Sequence, residues 1–253
     1  MTGREPLALV LAAAFGLVVG SFLNVCIWRL PRRQSVVVPG SYCPACERPL
    51  LWWELIPLLS YVFLGGKCRT CGARISPVYP LVEAGNALVY VMSLLVWGWT
   101  VRAAAAALLG SLLIVVSVVD GRHRLIPDRV TIPGMVCGLV LSALDPTVGW
   151  WRAAAGLLLG GGLLLGIAVA TDGGMGGGDV KLAAMMGAFL GWSSLLAALL
   201  VGFVFGALWG GALVLAGRKG RRDQMAFGPF LATGGLVAAF WGPALVGWYT
   251  GLL

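Results

Sequence analysis

The sequence predicts an all-α polytopic membrane protein of about eight transmembrane helices with one large polar loop. Three observations predict it. Charged residues make up 11% and hydrophobic residues 59% of the 253, where a soluble domain carries roughly 25% charged residues. Apolar runs near the ~20 residues needed to cross a bilayer recur along the whole chain. Basic residues fall in short loops between these runs, as orientation signals do.

In chain order the expected spans are 6–30, 78–99, 102–120, 130–148, 151–171, 180–192, 193–216 and 226–250. The first is longer than a signal-peptide core and has no A-x-A-like cleavage site at the end of its apolar run, so it is expected to remain as a membrane helix. The fourth and fifth are joined by little more than Gly149 and Trp150, as in a helical hairpin. The sixth is short and glycine-containing, so it is expected to be re-entrant or to span only in part. Within the loop, Leu50 to Leu64 is apolar and carries Trp52 and Trp53. Two readings stay open for it: a segment lying in the membrane interface, or a small buried core helix.

Orientation follows from Lys and Arg. Alternating spans place fifteen on the side of residues 29–77, 121–129, 172–182 and 217–223, and only Arg4, Arg102 and Arg152 on the other. The positive-inside rule makes the first side cytoplasmic and puts both termini outside. Without the sixth span, Arg218, Lys219, Arg221 and Arg222 would fall on the wrong side. The net charge of +8 does not point to nucleic acid, because no basic stripe with interleaved aromatics is present.

Cys43-Pro-Ala-Cys46 and Cys68-Arg-Thr-Cys71 are two Cys-x-x-C knuckles at the spacing of a tetrahedral zinc site. Two disulfides or four free thiols are the alternatives, and a reducing cytoplasmic loop disfavours the first. Four cysteines leave no open position, so the zinc is expected to be structural. Its role would be to fold a loop too small for a core. Arg48, Lys67 and Arg69 supply positive surroundings for thiolates. Cys26 and Cys137, in apolar segments, are expected to be ordinary buried residues.

The chain has only ten acidic residues, and carboxylates in membrane segments are costly and usually functional. Asp120 ends the run SLLIVVSVVD and Asp179 ends GGMGGGD. Both are expected at cytoplasmic helix ends, at similar depth. Two carboxylates in a partly dry site do not both ionise easily, so one activates water while the other steadies an oxyanion. Gly176 and Gly178 would allow close backbone approach to Asp179. The alternative is helix capping: Asp179 stands where an N-cap would, whereas Asp120 at a C-terminal end opposes the helix dipole.

Asp128 reads as the N-cap of the fourth span, with a part in the chemistry as the alternative. Glu83 is expected to pair with an Arg or Lys. Lys181 either holds Asp179 charged or snorkels to the interface. His123 is the single histidine, which disfavours Ser-His or Cys-His nucleophile chemistry. Asp145, Asp172, Asp223, Glu5 and Glu47 read as solvated loop charges.

These residues together resemble the type IV prepilin peptidase (prepilin leader peptidase/N-methyltransferase) family of G-x-G-D membrane aspartic peptidases. The resemblance runs from Gly20-Ser21-Phe22-Leu23-Asn24-Val25 and Arg29-Leu30-Pro31 through both knuckles. It continues through Glu54-Leu55-Ile56-Pro57-Leu58-Leu59-Ser60-Tyr61 and Pro80-Leu81-Val82-Glu83 to Leu125-Ile126-Pro127-Asp128, and ends at Gly176-Gly177-Gly178-Asp179-Val180-Lys181. Beyond residue 190 only hydrophobicity agrees.

The resemblance implies that Asp120 and Asp179 are the catalytic pair. It further implies that a basic leader is removed after a glycine from prepilins or type II secretion pseudopilins in the bacterial inner membrane. It implies N-methylation of the new N-terminus with S-adenosylmethionine, although no Rossmann-type glycine fingerprint is present. Many relatives carry a second Asp where this chain has Arg122, a position not expected to be catalytic. The implied organisation is a first membrane helix (1–30), the four-cysteine loop (31–77) and a membrane aspartic peptidase segment (78–253).

The alternatives are a peptidase without methyltransferase activity and a non-enzymatic secretion scaffold. A transporter would spread its carboxylates through the bilayer depth, whereas these gather at one face.

Overall fold

The computed structural model describes residues 5–171, 174–218 and 225–251. Arg4, Asp172, Gly173, Lys219, Arg221, Arg222 and Asp223 of the sequence reading lie outside them. The described residues form eight α-helices and no strand. They divide into two compact units, Met1–Gly98 and Trp99–Leu253.

The first unit contains α1 (Glu5–Arg29), a 3-10 turn (Trp52–Leu55), the short α2 (Leu59–Phe63) and α3 (Val78–Trp97). Glu5, expected in a loop, opens α1. Helices α1 and α3 run antiparallel and touch through small residues. A Cβ at Gly16 would come within 2.7 Å of the Ala87 Cα, and one at Gly20 within 2.7 Å of the Glu83 Cα. Lipid gives apolar helices no hydrophobic reason to associate, so close backbone approach and polar contacts hold them together. Asn86 donates to the Gly16 carbonyl at 2.8 Å and Asn24 to that of Tyr79 at 3.1 Å. The outer face of α1 leaves Leu7, Val10, Phe15 and Val18 exposed, as a lipid-facing surface requires.

Arg29 was counted as an orientation charge, but it is buried and donates to the Ser35 and Gly40 carbonyls at 3.1 and 2.9 Å. The segment from Leu50 to Leu64 is neither one helix nor buried. Its 3-10 turn and α2 leave Leu51, Trp52, Leu59, Val62 and Phe63 exposed. That is the surface an interfacial segment presents, and the buried-core alternative does not hold.

The second unit contains α4 (Val101–His123), α5 (Asp128–Leu144), α6 (Trp150–Ala170), α7 (Gly177–Leu215) and α8 (Gly228–Thr250). Six of the eight helices are long and apolar enough to cross a membrane: α1, α3, α4, α6, α7 and α8. The difference from eight spans has two causes. Helix α5 has 17 residues, just short of a span. Helix α7 is two arms, because Gly191 has φ 72 and ψ 168, far from helical values. A Cβ at Gly160 of α6 would meet both the Ala183 carbonyl carbon and the Leu195 side chain. In a continuous helix those residues would stand roughly 18 Å apart, so the chain doubles back at Gly191. The sixth and seventh spans of the sequence reading are these two arms. The first, at 177–190, covers roughly 21 Å and falls short of the ~30 Å hydrocarbon thickness.

Only glycine holds such a φ,ψ pair without strain of about 1–3 kcal/mol. Gly191→Ala is therefore expected to lower unfolding stability in detergent by about that amount. An unchanged melting midpoint would contradict the reversal. The arms are packed by small residues and polar contacts: Gly156 against Gly187, Gly234 against Ala198, and Ser142 donating to the Ala188 carbonyl at 2.8 Å.

Three further expectations are corrected. Cys26 is half-buried and Cys137 exposed, because each lies on the outer side of its helix. Asp145 is buried at the end of α5, where its Oδ1 accepts from Thr147 N at 2.9 Å and Thr147 Oγ1 at 2.8 Å. That is an Asx-type turn closing the hairpin to α6, not a solvated charge. Glu47 is exposed as expected.

Candidate active site

Asp120 lies in the last turn of α4, whose C-cap Arg124 donates its backbone N–H to the Asp120 carbonyl at 2.8 Å. The residue is 6% exposed, and its Oδ2 accepts from the Gly228 backbone N–H at 2.9 Å. Gly228 opens α8, and a Cβ there would stand 2.7 Å from that oxygen. This is a close backbone approach that only glycine permits. A carboxylate at a C-terminal helix end is disfavoured by its own helix dipole, and here the N-terminus of α8 compensates it.

Asp179 is the third residue of α7 and 9% exposed. The capping position is Gly176, so Asp179 is not the N-cap. Its Oδ2 turns back toward Gly176, where a Cβ would stand 3.2 Å away, and its Oδ1 is buried with no hydrogen-bond partner. Asp120 and Asp179 are close enough for the charge on one to act on the other. The structure thus brings together, at one end of the second unit, two carboxylates 59 positions apart in the sequence.

The surrounding contacts fix that end. Ile126, between α4 and α5, packs on Gly178, where a Cβ would meet it at 2.9 Å. Lys181 donates to both oxygens of Asp128 at 2.7 and 2.8 Å. Two sequence expectations change accordingly. Lys181 pairs with Asp128 and does not hold Asp179. Asp128 is the first residue of α5 and makes no cap bond, because Pro127 occupies the cap position. Both partners of this pair are well exposed, and such pairs contribute about 0–1 kcal/mol. Lys181→Met is therefore expected to leave any activity of the Asp120–Asp179 site within about threefold. A much larger loss in a steady-state assay would show that the charge acts on the site.

In the first unit the four knuckle sulfurs lie within 4.8 Å of one another, with the Cys43 and Cys71 sulfurs 3.9 Å apart. No disulfide joins them. Zn–S bonds of ~2.3 Å set sulfurs roughly 3.8 Å apart in a tetrahedron, so shifts of up to about 1 Å would close the cluster on a metal. The knuckles are equivalent. Cys43 N donates to the Arg48 carbonyl at 2.9 Å and Cys68 N to that of Ala73 at 2.8 Å. Backbone N–H groups of Cys71 and Thr70 pull the Cys68 thiol down to about 6, while burial and the neighbouring cysteines push the Cys71 thiol up to about 11, so one thiol of the pair favours the thiolate a metal needs. Arg48 clasps both oxygens of Glu54, with Nη1 to Oε2 at 2.9 Å. The pairing holds the Glu54 carboxyl below the usual range and ties the first knuckle to the 3-10 turn. Arg48 also reaches Cys68, and Arg69 stacks over Trp53 at 5.4 Å.

Glu83 does not pair with a cation. It is buried, and its Oε2 accepts from the Leu58 backbone N–H at 2.9 Å.

Residues 14–97 match the bacterial peptidase A24 N-terminal domain, and residues 107–211 match the type IV leader peptidase family. A prepilin leader peptidase/N-methyltransferase of Bacillus subtilis is 39% identical over 238 residues, covering 93% of this chain and 95% of the relative. The chain belongs to the type IV leader peptidase family. Proteins of the same name from Aeromonas salmonicida and Pseudomonas aeruginosa are 37% and 34% identical, covering 93% and 97% of this chain and 91% and 94% of those relatives. No solved structure matches it. The leader peptidase match spans both Asp120 and Asp179, and the N-terminal match spans all four cysteines. Membrane helices and family together fit a protein of the inner membrane.

Sequence reasoning passed over Arg29, Glu54 and Asp145 as functional or structural centres. Asp145-Pro146-Thr147 carries a turn signal. Nothing local marks Arg29 or Glu54 as buried.

Proposed function

We propose that this leader peptidase removes the leader of type IV prepilins or pseudopilins after a glycine, using Asp120 and Asp179, and then N-methylates the new N-terminus. The observation that carries the peptidase half is the pair of buried carboxylates at one end of the second unit, near enough for the charge on Asp120 to act on Asp179, one held by Gly228 N–H and the other with an oxygen free to take a partner. With one proton between them, the ionised group takes a proton from water as the water attacks the scissile carbonyl. The protonated group donates a hydrogen bond to the oxygen that gains charge. Proton return to the departing nitrogen then breaks the C–N bond without a covalent enzyme intermediate. Gly178 supports this role, since a side chain there would press on Ile126 and shift Asp179.

The charge bias of fifteen against three supports a cytoplasmic site and cysteine loop with both termini outside. The substrate's apolar helix would lie in the bilayer beside the enzyme. The four cysteines hold a structural zinc ion. S-adenosylmethionine supplies the methyl group. Cleavage of a synthetic prepilin by purified protein, compared with Asp120→Asn and Asp179→Asn, tests the central claim.

A further inference from the structure

The first arm of α7, residues 177–190, carries Asp179 near one end and stops at the Gly191 reversal at the other. In an uninterrupted helix the carbonyls of Ala188 and Phe189 would accept from the N–H groups of Trp192 and Ser193. The φ and ψ of Gly191 turn those donors away. One hydroxyl from another helix meets both carbonyls instead. Ser142 of α5, 1% exposed, donates to the Ala188 carbonyl at 2.8 Å, with the Phe189 carbonyl sharing the bond at 3.3 Å. We infer that Ser142 is a positioning residue for leader cleavage: its hydroxyl fixes the register of this arm against α5, and so sets where Asp179 stands relative to Asp120. The inference rests on the aspartate-pair reading above.

Helix α5 can serve this way because it is tied to both aspartate-bearing helices. Four residues, 124–127, join it to the Asp120 end of α4. At its middle, a Cβ on Gly134 would stand 3.1 Å from the Leu112 side chain of α4. Just past its far end, Arg102 of α4 donates to the Thr147 hydroxyl at 2.9 Å. The arm is met as closely. The same Cβ on Gly134 would press on Met185, and one on Gly138 would stand 2.7 Å from Phe189 and 3.0 Å from Ala188. Gly134, Gly138 and Ser142 recur every four residues, so they share one face of α5.

The hydroxyl adds what these close contacts lack. Contacts between small residues fit by shape, whereas a hydrogen bond depends on angle as well as distance. It therefore holds the depth and the rotation of the arm together. Within hydrocarbon no water replaces a lost donor, so carbonyls deprived of it must shift toward another. Thr233 and Thr250 of α8, by contrast, each donate to a carbonyl four residues back in their own helix, which ties nothing to a neighbour.

Asp179 and Phe189 lie about 15 Å apart along the arm. A slide along the helix axis carries Asp179 with it in full, and a tilt of about 4° displaces one end relative to the other by about 1 Å. A misplacement of about 1 Å can cost about a hundredfold in rate. Ser142 is itself buried away from any substrate, so its loss falls on kcat and not on KM.

The test is steady-state cleavage of a synthetic prepilin by the full chain in detergent, with rates referred to the folded protein measured by melting. Ser142→Ala removes the donor and little volume. It is expected to lower kcat about tenfold or more while KM stays within about twofold. Gly138→Ala pushes on Ala188 and Phe189 from the same face and is expected to lower kcat in the same way. Thr233→Ala breaks a bond inside one helix and is expected to leave both constants within about twofold. A hydroxyl that served stability alone would lower the melting midpoint and leave kcat per folded molecule unchanged. Wild-type kcat in Ser142→Ala, or a change confined to KM, would overturn the inference. If Ser142→Ala does not fold, wild-type kcat in Gly138→Ala overturns it. A wild type that does not cleave, or Asp120→Asn and Asp179→Asn variants that cleave as it does, defeats the aspartate-pair reading itself, and this inference with it.

Discussion

Asp120→Asn and Asp179→Asn are each expected to reduce leader cleavage by about three orders of magnitude or more, because on the proposed mechanism each removes one half of a proton-transfer pair. Asn keeps the size of Asp and, at position 120, an oxygen to accept from Gly228 N–H, so the fold around α8 is preserved. The amide cannot exchange a proton at neutral pH. A second expectation separates chemistry from packing. If the carboxylates act as one unit, the double variant is scarcely worse than either single one, since the first loss already disables the other group. The measurement is single-turnover cleavage of a synthetic prepilin, with melting in detergent as the control for folding. Two single variants that still cut at the wild-type rate would make Asp120 and Asp179 structural. Losses that simply multiply in the double variant would mean independent roles.

Zinc removal is the second large effect. Cys43→Ser combined with Cys71→Ser is expected to abolish a bound zinc equivalent and melt the segment 41–76. Structural zinc in small sites carries apparent binding free energies of roughly 10–16 kcal/mol, and this loop has few other buried contacts. The Arg48–Glu54 clasp and the Tyr42–Pro49 and Lys67–Arg74 bridges depend on the knuckles for their geometry. Leader cleavage should fall less than about tenfold, because the contacts to Asp120 and Asp179 among the described residues, from Gly228 and Gly176, come from the second unit. Elemental analysis, proteolysis of the loop and leader cleavage measured in parallel decide the matter. A double variant that resists proteolysis as the wild type does shows that the loop folds without metal. A loss of cleavage as large as that of the aspartate variants shows that the loop is needed for cleavage as well.

The sequence by itself determined the membrane class, the approximate spans, the cysteine cluster and the two aspartates worth attention. Each is a local signal. A run of about 20 apolar residues has no other stable home than lipid, two Cys-x-x-C turns at that spacing suit one tetrahedral ion, and a carboxylate at the end of an apolar run is costly enough to need a reason. The short sixth segment was legible too, from its glycines and from the charge count. Tertiary structure decided the rest, which concerned partners. That Asp120 is compensated by Gly228 of α8, and Lys181 by Asp128, depends on which helix ends meet across 108 and 53 positions. No local pattern encodes such a meeting. Glu83 accepts a backbone N–H where a cation was expected, and Asp145 is buried where solvent was expected, for the same reason. Burial of a polar group is set by what packs over it, and in a chain whose helices are apolar on every side the sequence does not mark which side faces protein and which faces lipid.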